Sequence, residues 1–210
     1  LIGKLSDDED TMSKIRFTEP NREILARRDS IINDLTRLVD PAGLITSTDE
    51  CRAYETDALT AYRKMPLAVV LPKTTEEVSA VLKYCHDTGV KVVPRGAGTS
   101  LAGGAIPSED AVVLGLSKMN RVLAVNYDDR FIRVEAGVTN LRVTAVVAEN
   151  GFFYAPDPSS QLACTIGGNI ANNSGGEKSL EYGKTERFVT PLKVIFSDGN
   201  EYIVEPLTKA

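Results

Sequence analysis

The residues of this 210-residue chain best suited to chemistry gather in two glycine-rich stretches. The first reads Pro94-Arg95-Gly96-Ala97-Gly98-Thr99-Ser100-Leu101-Ala102-Gly103-Gly104-Ala105 and follows an apolar run directly. Four glycines within nine positions are costly in backbone entropy, and they let successive N–H groups turn toward one point without side-chain obstruction. Such a nest suits a diphosphate. The order Gly96, Gly98, Leu101 breaks the G-x-G-x-x-G spacing, and no Gly-Lys-Ser/Thr follows to make a P-loop. Taken alone, the segment fits a tight glycine turn as well as an anion cradle.

The second stretch favours the cradle. Pro156-Asp157-Pro158-Ser159-Ser160 sets two fixed φ angles among small polar groups, giving a stiff loop whose hydroxyls can meet a ligand edge. Thr165-Ile166-Gly167-Gly168-Asn169-Ile170-Ala171-Asn172-Asn173-Ser174-Gly175-Gly176 then repeats the strategy of the first loop. Two separated stretches of this kind imply one ligand gripped from two sides. Asn169, Asn172 and Asn173 can read the polar edge of a ring or satisfy the backbone of a turn.

Elements that would position these loops are legible in the periodicity. Apolar residues from Ile24 to Val39 recur at helical spacing between Pro20 and Pro41, and a second short helix spans about 48–57. A new unit begins near Met65. Leu67 to Leu71 reads as a buried strand, Thr74 and Glu77 make a capping box before a helix closed by Gly89, and Val90 to Val93 supplies the next strand. This strand, helix, strand order favours a parallel crossover. Further strands are expected at 111–116, 122–126, 131–135, 152–155, 192–196 and 201–204, the last two joined by an Asp198-Gly199 hairpin, with a helix over 139–150. The class is mixed α+β, with residues 1–64 forming an arm and helices and residues 65–210 a binding domain.

Composition removes several functions. With 42% hydrophobic residues the chain can bury a substantial core, and a net charge of -5 leaves no basic stripe for nucleic acid. No apolar run approaches the roughly 20 residues of a membrane span. The acidic N-terminus, Asp7-Asp8-Glu9-Asp10, does not resemble a secretory signal, so a cytoplasmic setting is expected. Cys51, Cys85 and Cys164 form no CxxC pair, and the single histidine, His86, excludes a multi-histidine metal site within the chain.

The strings at 95–105 and 154–173 and the pair Tyr182-Gly183 resemble FAD-linked oxidases of the p-cresol methylhydroxylase and vanillyl-alcohol oxidase type. They are most similar to the branch holding glycolate oxidase D-subunits and D-lactate dehydrogenases. The resemblance runs from about Met65 to Val204. It implies an FAD-binding domain of two packed α/β subdomains, one a small parallel sheet with helices and the other a larger mixed sheet. It also implies that residues 94–100, with Gly103 and Gly104, wrap the FAD diphosphate. Residues 156–159 and Thr165, Gly167, Gly168 and Asn169 would line the flavin and ribityl chain, Ala171 and Asn172 would also bind the cofactor, and Gly175, Gly176 and Tyr182 would help close the site. Some relatives hold FAD covalently through a histidine in the first loop. Thr99 stands at that place here, so non-covalent FAD is expected.

Two departures accompany the resemblance. Relatives often carry a histidine and a cysteine before the Tyr-Gly pair, where this chain has Glu177-Lys178-Ser179-Leu180-Glu181. The family's adenine-side segment and its cap domain, with the substrate arginine and active-site histidine, are expected to lie outside this sequence. The function implied is oxidation of a small 2-hydroxy acid, glycolate or D-lactate in type. Iron–sulfur or other electron-transfer subunits would be its partners, giving peripheral attachment at the inner membrane through them. The alternative is a non-catalytic dinucleotide-binding or assembly module. His86 and the lone arginines Arg63, Arg142 and Arg187 are read as surface residues, and Cys164 as a small buried neighbour of the cofactor. No catalytic residue is assigned.

Overall fold

The computed structural model describes residues 18–205. The acidic stretch expected to be an arm lies almost wholly outside these. At the centre is a four-stranded sheet in the order β1-β2-β4-β3, from β1 (Leu44–Ile45), β2 (Ala68–Val70), β3 (Lys91–Arg95) and β4 (Ala111–Gly115). The last three strands are parallel, and β1 lies antiparallel on the edge. Every residue of β2 and β4 is buried, as expected of apolar strands covered on both faces.

The helix between β2 and β3, α4 (Thr75–Thr88), starts where the capping pattern predicts. Thr74 accepts from the Glu77 N–H at 3.2 Å, and Glu77 reaches back to accept from the Lys73 N–H at 2.6 Å. Gly89 ends it at φ 74°, a left-handed position natural to glycine. Val78, Val81 and Cys85 face the sheet. β2, α4 and β3 form the expected parallel crossover, with β4 inserted between the two strands. β3 is thereby joined to β4 by the glycine loop alone, with no helix in the crossover.

The single helix expected before Pro41 is two, α1 (Arg22–Ala26) and α2 (Arg28–Leu35), because Arg27 leaves helical geometry at φ -96°, ψ 8°. The apolar period survives the break since Ile24, Ile31, Leu35 and Val39 all enter the core that also holds Leu67, Val70, Val81 and Val112. Residues on either side of position 65 thus share one interior. The helix expected over 48–57 is shorter, α3 (Thr48–Cys51) followed by a 3-10 turn.

Beyond β4, β5 (Val122–Asn126) and β6 (Phe131–Val134) form a hairpin closed at its base by Glu135. That carboxylate accepts from the Arg121 backbone N–H at 2.7 Å and from its guanidinium at 2.7 and 3.0 Å. Helix α5 (Asn140–Val147) follows, and Gly151 turns the chain back. The strand expected at 152–155 is absent, because the Phe152 and Tyr154 N–H groups bond to Val147 O and Thr144 Oγ1 of α5 instead of to a neighbouring strand. Two helices that the periodicity did not reveal come next, α6 (Ile166–Asn172) and α7 (Ser179–Tyr182). The chain then forms the expected hairpin of β7 (Leu192–Ile195) and β8 (Glu201–Val204), with Gly199 at φ 81°. Its tip rests on α4, where the Ser79 hydroxyl donates to the Gly199 carbonyl. The class is mixed α+β. Among the described residues no helix is long and apolar enough to cross a membrane, and no cluster of ligating side chains could hold a metal.

Asp110, 1% exposed, ties the N-terminal helices to the sheet. It accepts from Lys91 Nζ at 2.8 Å, Ser108 Oγ at 2.6 Å and the Asn21 N–H at 2.8 Å. Burial alone would raise its pKa, but these donors and the Lys91 charge outweigh burial and bring it down to about 2. A depressed carboxylate stabilises the fold above its unfolded pKa of about 3.9, and that stabilisation disappears as pH falls toward the folded value. Asp110→Asn is therefore expected to cost roughly 1–3 kcal/mol at neutral pH, read by chemical denaturation. An acid titration of the unaltered protein should lose stability between about pH 4 and 2, and the variant should lack that component.

Candidate cofactor site

The first glycine loop leaves the carboxyl end of β3, the edge of a parallel sheet where ligands of α/β proteins commonly bind. Among the described residues, the six consecutive N–H groups from Gly96 to Leu101 have no protein acceptor. The first engaged amide is Ala102, which donates to Ser100 Oγ at 3.2 Å. Backbone donors left open in a row, without side chains over the glycines, are what an anion nest requires. The Arg95 side chain turns inward and is 9% exposed. Its Nη1 donates to Thr56 O at 2.7 Å and Ala105 O at 3.4 Å, drawing together the two ends of the loop and the segment behind it. Burial lowers the Arg95 pKa, with Asp57 and Tyr54 opposing. Gly98 has φ 70°, and a Cβ there would overlap the Arg95 guanidinium, so glycine is required on both counts.

The second stretch meets the first directly. A Cβ on Gly96 would lie 2.5 Å from Thr165 Oγ1 and 3.9 Å from Gly168 Cα. Ser100 Oγ and Asn172 Oδ1 are 3.5 Å apart. Where the sequence suggests a second open loop, residues 166–172 form α6, capped by Thr165, whose hydroxyl accepts from the Gly168 N–H at 3.3 Å. The Ile166 and Gly167 N–H groups are engaged as well, by Val138 O at 2.8 Å and Ala136 O at 2.9 Å. The glycines of α6 thus serve close approach rather than donation: a Cβ on Gly167 would lie 2.9 Å from that of Ala136.

Asn169 is 1% exposed, and its Nδ2 is buried with no partner among the described residues. An unsatisfied buried donor costs about 1–3 kcal/mol and calls for an acceptor from elsewhere.

A third segment closes on the Pro156-Asp157-Pro158-Ser159 turn. A Cβ on Gly176 would overlap the Asp157 carbonyl oxygen, and Asp157 Oδ1 accepts from the Lys178 N–H at 3.1 Å. Ser179 Oγ accepts from the Gly176 N–H at 2.9 Å, beside Gly175. The turn is itself held by buried Asn140, whose Nδ2 donates to Pro156 O at 3.0 Å while its N–H donates to Cys164 O at 3.0 Å. Tyr182 stands edge-on to Phe153 at 5.9 Å.

Not every candidate residue enters this cluster. Gly103 packs on Leu59 and Ile106, Gly104 has open space about it, and Pro94 and Ala171 are exposed. His86 is exposed on the last turn of α4, Arg63 pairs with Glu55 at 3.2 Å, and Arg142 donates to Asn120 O at 3.0 Å. Cys164 is buried beside Thr165. Residues Tyr54, Thr56, Asp57 and Ala58, which carry no motif, back the first loop and had no sequence signal. A cavity of about 590 Å³ is a separate, largely apolar groove lined by β5, β6, α5, Phe188 and the Ile166 and Ile170 face of α6. Gly168 and Asn172 lie about half a turn around that helix, so α6 separates the groove from the cleft between the loops.

These features fit a dinucleotide: a row of open amides, a cradle that a Cβ would fill, and an orphaned buried amide. A family described as FAD binding domain matches residues 66–204. The chain is 45% identical over 172 residues to glycolate oxidase subunit GlcD of Escherichia coli (strain K12), covering 82% of this chain and 34% of that protein. It is 37% identical over 171 residues to D-lactate dehydrogenase of Archaeoglobus fulgidus, covering 81% and 38%. The mitochondrial D-2-hydroxyglutarate dehydrogenase of Bos taurus is 34% identical over 169 residues, covering 80% and 31%. The chain thus spans about a third of the length of these relatives. Among solved structures, alkyldihydroxyacetonephosphate synthase superposes with a TM-score of 0.78 at 20% identity, over 94% of this chain and 38% of that one. The p-cresol methylhydroxylase fold is also shared, with a TM-score of 0.73 at 20% identity, over 88% of this chain and 36% of that one. The chain therefore belongs to the FAD binding domain family, and its cofactor is FAD.

Proposed function

We propose that this chain is the FAD-binding portion of a flavin-dependent dehydrogenase or oxidase of small 2-hydroxy acids. The observation that carries the reading is the row of open amides from Gly96 to Leu101 at a contact with Gly168 of α6, the next residue of which, Asn169, has an unsatisfied buried amide. In this assignment residues 96–100 hold the diphosphate through backbone donors, with Arg95 adding a buried positive charge behind them. The turn at 156–159 and Thr165 to Asn169 line the flavin and ribityl chain, and Gly175, Gly176 and Tyr182 close over it. The two hairpins with α5 and α6 form a second subdomain beside the four-stranded sheet, and the FAD-binding domain runs from residue 65.

The names of the relatives support the substrate class, since glycolate, D-lactate and D-2-hydroxyglutarate are all 2-hydroxy acids. When bound, FAD supplies a two-electron acceptor for the hydride that leaves the carbon bearing the hydroxyl. The present residues bind and orient the cofactor and keep water from its diphosphate. No described residue is assigned as the proton acceptor. With Thr99 where a histidine linkage would stand, the flavin is held without a covalent bond. The relative from Escherichia coli is named a subunit, which supports assembly with further subunits, for which electron transfer is the proposed role.

The purified protein should be yellow, and denaturation should release free FAD into the filtrate; flavin retained on the polypeptide would contradict non-covalent binding. Asn169→Leu gives effects of opposite sign on fold and ligand. Without FAD the variant should be as stable as the parent or more so, by about 1 kcal/mol, because the orphaned donor is gone. Its FAD affinity should fall about tenfold or more in a fluorescence titration. Gly98→Ala puts a side chain on a left-handed backbone and into space filled by the Arg95 guanidinium, and should weaken FAD binding by a similar factor. Unchanged affinity in both variants would remove these residues from the site.

A further inference from the structure

The turn at 156–159, assigned to the flavin, is held from behind by a buried side chain. Asn140 is the first residue of α5 and is 1% exposed. Its Nδ2 donates to Pro156 O at 3.0 Å, and its backbone N–H donates to Cys164 O at 3.0 Å. The next amide of the helix, that of Leu141, donates to Gln161 O at 3.2 Å. Thr139, which precedes the helix, makes no side-chain cap, so carbonyls of the 156–164 loop take the place of one. The two backbone bonds act on residues 161 and 164, and any side chain at position 140 leaves them in place. At Pro156, where the turn begins, the tie is the Asn140 amide. Between these points the loop is a run of tight turns, with the Gln161 N–H on Pro158 O and the Cys164 N–H on Ser160 O, both at 2.8 Å. On its other side Gly176 packs so closely that a Cβ there would overlap Asp157 O.

We propose that Asn140 is a positioning residue for the flavin: its amide sets where the Pro156 to Ser159 turn stands, and so how that turn meets the flavin and ribityl chain. The inference rests on the reading that residues 156–159 line the flavin. Pro156 and Pro158 have no N–H, so the turn has few main-chain donors with which to hold its own shape, and an outside donor counts for more. Pro156 is buried, and a buried carbonyl that loses its donor is driven to find another, moving the turn with it. Asn140 is itself sealed from the cleft, so its effect on the cofactor passes through the turn. A residue needed only to fold α5 behaves otherwise. Its loss lowers stability, while the molecules that do fold bind FAD with unchanged affinity and in unchanged surroundings.

The test compares the parent with Asn140→Leu, which keeps the bulk of the side chain and removes the donor. FAD affinity is read by flavin fluorescence, the surroundings of the bound ring by its visible absorption, and stability by denaturation without FAD. Affinity should fall about tenfold, and the absorption bands of the bound flavin should differ in position or shape from those of the parent. Lower stability with affinity and flavin bands equal to the parent's would overturn the proposal. A second readout, by NMR on the parent, decides the matter even if the variant does not fold. The Asn140 side-chain amide is one hydrogen bond away from a carbonyl of the flavin turn, so its resonances should shift as FAD saturates the protein. Those of Asn150, past the other end of α5 and bonded to the Tyr127 hydroxyl, should stay where they are. Asn140 resonances that do not move on saturation overturn the proposal. A parent without saturable FAD binding would remove the cofactor reading and the proposal with it, whereas a parent and variant that bind FAD alike remove the proposal alone.

Discussion

The contact of Gly96 with Thr165 and Gly168 is the constraint on which the site depends. It brings the carboxyl end of β3 against the start of α6, two elements separated by about seventy residues of chain, and it exists because Gly96 carries no side chain. With the loop pinned there on one side and by Arg95 on the other, six amides in succession are left without acceptors among the described residues. Folded proteins rarely leave such donors open except where water or a ligand completes them. The same argument applies to Asn169, whose buried amide adds a cost to the ligand-free fold that a bound acceptor would relieve. On the proposed assignment, FAD supplies the missing acceptors, and the site is formed in advance of its ligand.

The two glycine stretches look alike in composition and do different work. In the first, glycine permits left-handed geometry at Gly98 and keeps donors uncovered. In the second, the donors at the head of α6 are already taken by Val138, Ala136 and Thr165, and glycine permits close packing of helix on loop and strand. The helix then acts as a partition. One face meets the first loop, while Ile166 and Ile170 on the other line the apolar groove with β5 and β6. An isolated two-stranded hairpin has little stability in water, so the apolar residues that β5 and β6 share with α5 and α6 around this groove help to hold the hairpin.

Much of the sheet was legible in the sequence because short apolar runs bounded by glycine and proline have few other uses; β2, β3, β4 and both hairpins fall within a residue or two of their expected positions. Strand order was not, since nothing local says that β4 will enter between β2 and β3. The helix α6 was hidden by its own composition: Gly167, Gly168 and two asparagines score as loop, and tertiary contacts with Ala136 and Val138 override that preference. The strand expected at 152–155 failed for the converse reason, as an apolar run whose backbone bonds to a helix carries no mark of it in sequence. The glycine-loop residues of the site were readable as types and spacing. The residues behind them, Tyr54 to Ala58, were not, because they meet the loop through the Thr56 carbonyl and the Ala58 N–H, which no spacing rule records.

Residue-resolved amide hydrogen exchange with and without FAD tests the central claim most directly. The account predicts that Gly96 to Leu101 become protected by an order of magnitude or more on adding FAD, while Ile166 to Gly168, already bonded within the protein, change little. Protection at the head of α6 with none in the first loop would contradict it.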